Sequence, residues 1–184
     1  FKQVMEDDEA LLTLLDLTHK HGVAIVSDTP HTKHDSQRLC ERVAPIRHTF
    51  YGGFWETVVL PPTHEQHIDS AFSTVALPAH TDGNYWTDPP GLQVFHCLKS
   101  DPSGGETLLV DGFKVGEELQ RRDAEAFEFL ASTPLPFQHT DCEHHVVAMH
   151  TVFGLDEHGL LTRFSLNALD RDTLHLPPDQ IIPF

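Results

Sequence analysis

A change of period near residue 46 constrains this chain more than any other feature. Before it, apolar residues recur at helical spacing; after it, short apolar alternations bounded by turn residues take over. Residues 5 to 21 are predicted to be helical. Glu6, Asp7, Asp8 and Glu9 stand at the dipole-favoured start, Leu11, Leu14, Leu15 and Thr18 share one face, and Gly22 follows the end. Val23 to Val26 reads as a short strand closed by Asp28-Thr29-Pro30. A second helix is expected over 32 to 43, with Leu39 and Val43 inward and Pro45 beyond its end.

Past residue 46, Ala71 to Leu77, Gly91 to Cys97 and Glu106 to Asp111 read as strands. Residues 114 to 132 return to helix, with Val115, Leu119, Ala126, Phe129 and Leu130 available for one face. A hairpin is predicted from 145–152 and 159–166 around the turn Asp156-Glu157-His158-Gly159. Helices first, then a strand-rich body with one helical insertion, point to an α+β fold with a sandwich or barrel-like sheet core. No repeat, low-complexity tract or linker interrupts the sequence, and 184 residues suit one domain, so residues 1–184 read as a single domain. Beginning on Phe rather than Met, the chain also reads as a piece of a longer protein.

Fifteen histidines make metal ligation the first chemistry to consider and the easiest to over-read. On a strand, positions i and i+2 share a face, so a histidine and a carboxylate at that spacing can hold one ion. Three such pairs occur with the histidine first and an aspartate second: His67-Ile68-Asp69, His80-Thr81-Asp82 and His139-Thr140-Asp141. Context favours the second, which follows a strand-like run and precedes a Gly83-Asn84 turn. Thr107 then stands on a predicted strand opened by Gly104-Gly105, where a hydroxyl could donate to a small carboxylate; an ordinary loop before a strand is the competing reading. His139-Thr140-Asp141 reads as a solvated turn. Cys142-Glu143-His144-His145 lacks a second half at ligand spacing for zinc. His19, His21, His31 and His34 read as surface residues.

The blocks His80-Thr81-Asp82, Pro90 to Lys99 (PGLQVFHCLK) and Gly104 to Phe113 (GGETLLVDGF) carry a family likeness. Together they resemble the iron(II)/2-oxoglutarate dioxygenases of the taurine-dioxygenase-like superfamily, a likeness running over nearly the whole chain and most specific from 80 to 113. Within the superfamily, the sequence is most similar to the branch that hydroxylates N6-trimethyllysine in carnitine biosynthesis, with the γ-butyrobetaine branch as close sibling. The resemblance implies a double-stranded β-helix (jelly-roll) core flanked by helices and incomplete at the C-terminus. It also implies Fe(2+) with 2-oxoglutarate as cosubstrate, and ascorbate as a supporting reductant. His80 and Asp82 match two iron ligands, and Thr107 matches a 2-oxoglutarate contact. The family's second metal histidine and its 2-oxoglutarate arginine have no match here, since His175 and Arg171 fit neither motif. The chain alone is therefore expected to bind iron weakly and to turn over nothing.

The implied substrate is a small quaternary ammonium amino acid, which cannot donate a hydrogen bond from its onium end and is held by aromatic faces. Tyr51 and Trp55 match the relatives' aromatic cage, and Phe72 falls where they carry tyrosine. Tyr85 and Trp86 are further candidates. Core packing is the competing reading for all of these rings. Asp69 matches an acidic position near the polar end of the substrate, where the γ-butyrobetaine branch resembles it with an amide. A carboxylate suits the α-ammonium that only trimethyllysine carries, and Asn167 is expected to assist it. A binding module that keeps the aromatic cage without iron chemistry is the alternative from another class. A homodimer and a mitochondrial location (otherwise cytoplasmic) are further expectations from the resemblance.

Charge limits the partners. A formal charge of −16 disfavours nucleic acid, and no apolar run approaches the roughly 18 residues of a membrane span. Cys40, Cys97 and Cys142 are odd in number and unpaired in spacing, which suits a reducing compartment. Protonating every histidine would bring the charge from −16 to about −1. Turbidity measured against pH is accordingly expected to peak near the isoelectric point of about 5.2 and to clear above neutrality.

Overall fold

Aspartates at positions 7 and 123 break two of the expected helices. A computed structural model describes residues 1–58, 70–72, 74–100, 103–175 and 177. The expected helix over 5–21 is two, α1 (Lys2–Glu6) and α2 (Asp8–His21). Asp7 between them takes an extended backbone, and its carboxylate accepts the Glu9 N–H at 3.0 Å. A side chain that caps competes with helix continuation, and here the cap prevails. The same happens at Asp123, which accepts the Ala126 N–H and divides the expected helix over 114–132 into α4 (Gly112–Arg122) and α5 (Ala124–Ser132). Helix α3 (Lys33–Val43) matches expectation. Thr32 caps its start through the Asp35 N–H, Leu39 is buried, and Ala44 is extended ahead of Pro45.

The chain divides into two compact units, Phe1–Ala76 with Leu92–Glu106, and Leu77–Gly91 with Thr107–Phe184. In the first, α2 ends on Gly22 at φ +71°, whose N–H reaches the Thr18 carbonyl at 2.8 Å. Arg42 of α3 ties back to the start of the chain through the Asp8 carboxylate and the Val4 carbonyl. Buried Ser36 on α3 lies 2.5 Å from Nδ1 of His96, and His31 stands edge-on to that imidazole at 5.8 Å. Ser70–Phe72 is a single 3₁₀ turn.

The second unit holds the sheets. Strand β1 (Leu135–Thr140) pairs antiparallel with β2 (His145–His150), Leu135 opposite His150 and Thr140 opposite His145. Strand β3 (Phe153–Leu155) pairs antiparallel with β4 (Leu161–Phe164), with an irregularity at Gly154/Leu155. The predicted turn at 156–159 is present, with Asp156 accepting the His158 and Leu160 N–H groups, but it joins β3 to β4; the 145–150 segment pairs backwards with β1 instead. The four-residue Asp141–His144 connection closes that tighter hairpin first, which local pattern alone did not reveal. Phe127 of α5 stacks on Phe153 at 4.8 Å, and Phe153 meets Phe164 at 5.6 Å, forming the core with Leu135, Phe137, Ala148 and Val152.

Four predicted strands, Val23–Val26, Ala71–Leu77, Gly91–Cys97 and Glu106–Asp111, belong to no sheet among the described residues. Alternation marks a segment able to pair; a ladder also needs a partner edge. Most of their apolar residues face solvent, with Phe95 81 % and Leu108 82 % exposed. The described residues are mixed α and β, with two small antiparallel sheets. None of its described helices is long and apolar enough to cross a membrane.

Helix α4 approaches β3 and β4 through a buried glycine. A Cβ on Gly116 would lie 2.7 Å from Cδ2 of Leu161 and 3.1 Å from Cε1 of Phe153. On an exposed helix face, alanine in place of glycine adds stability. Here Gly116→Ala is expected to remove about 1–3 kcal/mol by overpacking, read as a lower urea midpoint with an unchanged m-value.

Candidate functional site

The segment from Pro78 to Trp86 is held from both sides. Thr81 donates its N–H to the Leu166 carbonyl at 2.7 Å, and its hydroxyl accepts the Leu166 N–H at 3.0 Å. Buried Asn84 donates its amide to the Thr81 carbonyl at 2.8 Å. With Thr81 engaged by Leu166, the side chains on either side of it, His80 and Asp82, turn toward each other. Gly83, at φ +75°, makes the turn that follows. A Cβ there would sit 2.8 Å from the Trp86 ring, so the position is closed to other residues on both counts.

His80 and Asp82 meet. Nε2 of His80 lies 3.1 Å from Oδ1 of Asp82, with the side chains 24 % and 49 % exposed. Nδ1 of His80 is 2.7 Å from the Pro78 carbonyl, which can only accept, so Nδ1 carries a hydrogen. In the neutral ring, Nε2 then turns a lone pair toward a carboxylate oxygen. Two acceptors at that separation need a proton or a cation between them. Donors 3.1 Å apart can both reach one ion at metal–ligand bonds of about 2.0–2.2 Å. An imidazole and a carboxylate with a solvent-open side form a donor set suited to iron(II). Among the described residues, no group of three such side chains converges on one point.

Thr107 lies exposed on an irregular segment of the same unit. Tyr85 is 7 % exposed, its ring edge-on to Trp86 at 4.8 Å and tilted against His139 at 5.2 Å, so it is part of the packing beneath the loop. Asn167 is buried; its amide donates to Asp170 at 2.7 Å and its carbonyl accepts the Leu169 N–H at 3.0 Å. In the other unit, Tyr51 stacks on Trp55 at 5.5 Å, and Trp55 meets Phe72 at 6.4 Å. These rings form a continuous strip, and the close stacking leaves an onium group their outer faces rather than the space between them. Lys33 already uses the neighbouring Phe54 this way, 5.7 Å from the ring centre. Asp69 and the pair His67-Asp69 lie outside the described residues.

The residues that hold the loop escaped sequence reasoning. Thr81 had a signal, since a residue between two side chains on one face must point to the other. His150 had none, because its partner, the Trp86 carbonyl at 2.8 Å, is 64 positions away. The Cys142-to-His145 cluster is dispersed: His145 meets the Thr140 hydroxyl and His144 turns onto Asp141.

A family model described as taurine catabolism dioxygenase TauD, TfdA family matches residues 1–180. Trimethyllysine dioxygenase of Meyerozyma guilliermondii is 34 % identical over 100 % of this chain and 47 % of its own length. The mitochondrial trimethyllysine dioxygenase of Gallus gallus is 35 % identical over 97 % of this chain and 43 % of its own. Gamma-butyrobetaine dioxygenase of Homo sapiens is 31 % identical over 100 % of this chain and 48 % of its own. The chain thus spans about half the length of the curated relatives it matches.

Asp141 illustrates how such a loop-rich surface responds to acid. Its carboxyl is held well below the ordinary carboxylate range, first by the Glu143 N–H, with the His144 N–H and the His144 and His139 rings adding to this against some desolvation. A lowered folded-state value means that the carboxylate supports the turn fully above the unfolded value of about 3.9 and loses that support only as pH falls toward the folded one. Asp141→Asn should accordingly displace the Glu143 and His144 amide proton shifts at neutral pH, where the wild-type carboxylate accepts both N–H groups.

Proposed function

The chain belongs to the taurine catabolism dioxygenase TauD, TfdA family, and we propose that it serves iron(II)/2-oxoglutarate-dependent hydroxylation of N6-trimethyllysine to the 3-hydroxy product. The approach of His80 Nε2 to Asp82 Oδ1, with the imidazole tautomer set by Pro78, carries this reading. When bound, iron supplies the activation of dioxygen that couples oxidative decarboxylation of 2-oxoglutarate to attack on an unactivated C–H bond. His80 and Asp82 would hold the ion. Thr107 donates its hydroxyl to a carboxylate of 2-oxoglutarate. In this reading the two small antiparallel sheets belong to a jelly-roll core, and the working location is mitochondrial, as the names of the vertebrate relatives suggest.

Recognition divides by charge. The trimethylammonium end lies against Tyr51, Trp55 and Phe72, each ring contributing roughly 0.5–2 kcal/mol. Asp69 pairs with the α-ammonium. Asn167 is a further polar candidate, keeping an amide hydrogen and a lone pair beyond its bonds to Asp170 and Leu169, whereas Tyr85 serves the packing beneath the loop. γ-Butyrobetaine has no α-ammonium, so the carboxylate of Asp69 favours trimethyllysine. The second reading, an onium-binding module without oxidation, draws on the solvent-facing Trp55.

Succinate release and hydroxylated amine, measured together on the full-length protein, separate these readings. Tight coupling with trimethyllysine, at least tenfold above γ-butyrobetaine, is expected. Amine binding without succinate would favour the binding module. Asp69→Asn should raise KM for trimethyllysine about tenfold or more and leave that for γ-butyrobetaine nearly unchanged; undiminished use of trimethyllysine would remove Asp69 from the site.

A further inference from the structure

His80 and Asp82 sit on a loop that no regular element contains, so something outside the loop must hold their separation. One anchor is the Thr81–Leu166 pair. The other lies at the loop's far end. Buried His150, the last residue of β2, places Nε2 2.8 Å from the Trp86 carbonyl. A carbonyl only accepts, so His150 is the donor. Trp86 in turn donates its N–H to Gly83 at 3.0 Å, closing the turn that begins one residue after Asp82. Above that turn, the Trp86 ring covers Gly83 so closely that no Cβ fits, and the Tyr85 ring packs on Trp86 and on His139 of β1. The β1–β2 hairpin therefore grips the loop at its Trp86 end through one side-chain donor and one ring contact.

We propose that His150 is a positioning residue for the metal ligands. Through the Trp86 carbonyl it fixes the Gly83 turn and hence the direction of the Asp82 carboxylate relative to the His80 imidazole. The geometry explains the residue type. The donor must reach from a buried strand end to a main-chain carbonyl, which the distal nitrogen of an imidazole does and a shorter amide cannot. Without it, a partly buried carbonyl is left to find water, and the turn is free to rotate Asp82 away from the 3.1 Å separation. This inference rests on the reading of His80 and Asp82 as ligands, since a positioning residue matters only if what it positions binds.

The test is cobalt(II) titration followed by its visible absorption, together with hydrogen exchange of the metal-free protein over residues 80–86. Wild type should bind cobalt, and Asp82→Ala should weaken it at least tenfold. His150→Leu should weaken binding 10- to 100-fold, as loss of a supporting partner does, with far-UV circular dichroism unchanged and faster exchange at Thr81 to Trp86 before any metal is added. His150→Gln, whose amide N–H occupies the place of Nε2, should stay within about threefold of wild type, and His150→Asn, which cannot reach, should behave as leucine does. Unchanged cobalt affinity in folded His150→Leu overturns the proposal. Should the leucine variant not fold, the glutamine and asparagine variants decide, and equal affinities for those two overturn it as well. If Asp82→Ala binds cobalt as wild type does, the ligand assignment itself fails, and this inference falls with it.

Discussion

The pairing of Thr81 with the Leu166 backbone is the interaction on which the rest of this chain's chemistry depends. It uses one N–H and one hydroxyl of the residue between the two candidate ligands, and so decides which way that residue faces. Each such bond contributes only about 0.5–1.5 kcal/mol. Direction matters more than strength here. Reversing Thr81 would carry His80 and Asp82 into the packing and turn a hydroxyl outward. Asn84, Gly83 and the His150–Trp86 contact then remove the remaining freedom of the loop.

A second constraint is the shortage of partner edges. Sheet structure among the described residues is confined to the β1–β2 and β3–β4 ladders, whereas apolar segments at 91–97 and 106–111 lie outside them. Exposed residues such as Phe95, Leu108 and Leu109 carry the composition of strand cores without a ladder. Apolar surface of that kind is unusual for an isolated soluble unit and marks segments that gain stability when they are covered.

Much of the local structure was legible. Apolar spacing and Pro45 announced α3, the glycine after His21 announced the end of α2, and the Asp156–Gly159 turn stood where its residues suggested. Asp7 and Asp123 were misread because an acidic residue serves equally at the first turn of a helix and at the cap that ends the preceding one. The hairpin partner was misread because β2 is flanked by turn signals on both sides, and pattern carries no information about which turn closes. Among the histidine–carboxylate pairs, composition made the motif common. Its neighbours, a turn on one side and an apolar run on the other, singled out His80-Thr81-Asp82. The structure brings that imidazole and carboxylate to 3.1 Å; His139 and Asp141 also approach, at 3.3 Å, but there the carboxylate is taken up by the Glu143 and His144 N–H groups.

By itself, the sequence determined the spacing that lets an imidazole and a carboxylate share a face, the helix limits set by side chains close in the chain, and the family to which the blocks from 80 to 113 belong. These are short-range facts, fixed by covalent geometry and by groups within a few positions of each other. Only the tertiary structure decided which face that is and what holds it, because Leu166 and His150 reach the loop from 85 and 64 positions away. A hydrogen bond has no memory of sequence distance. It forms wherever folding leaves a donor beside a carbonyl, and that is settled by packing rather than by pattern.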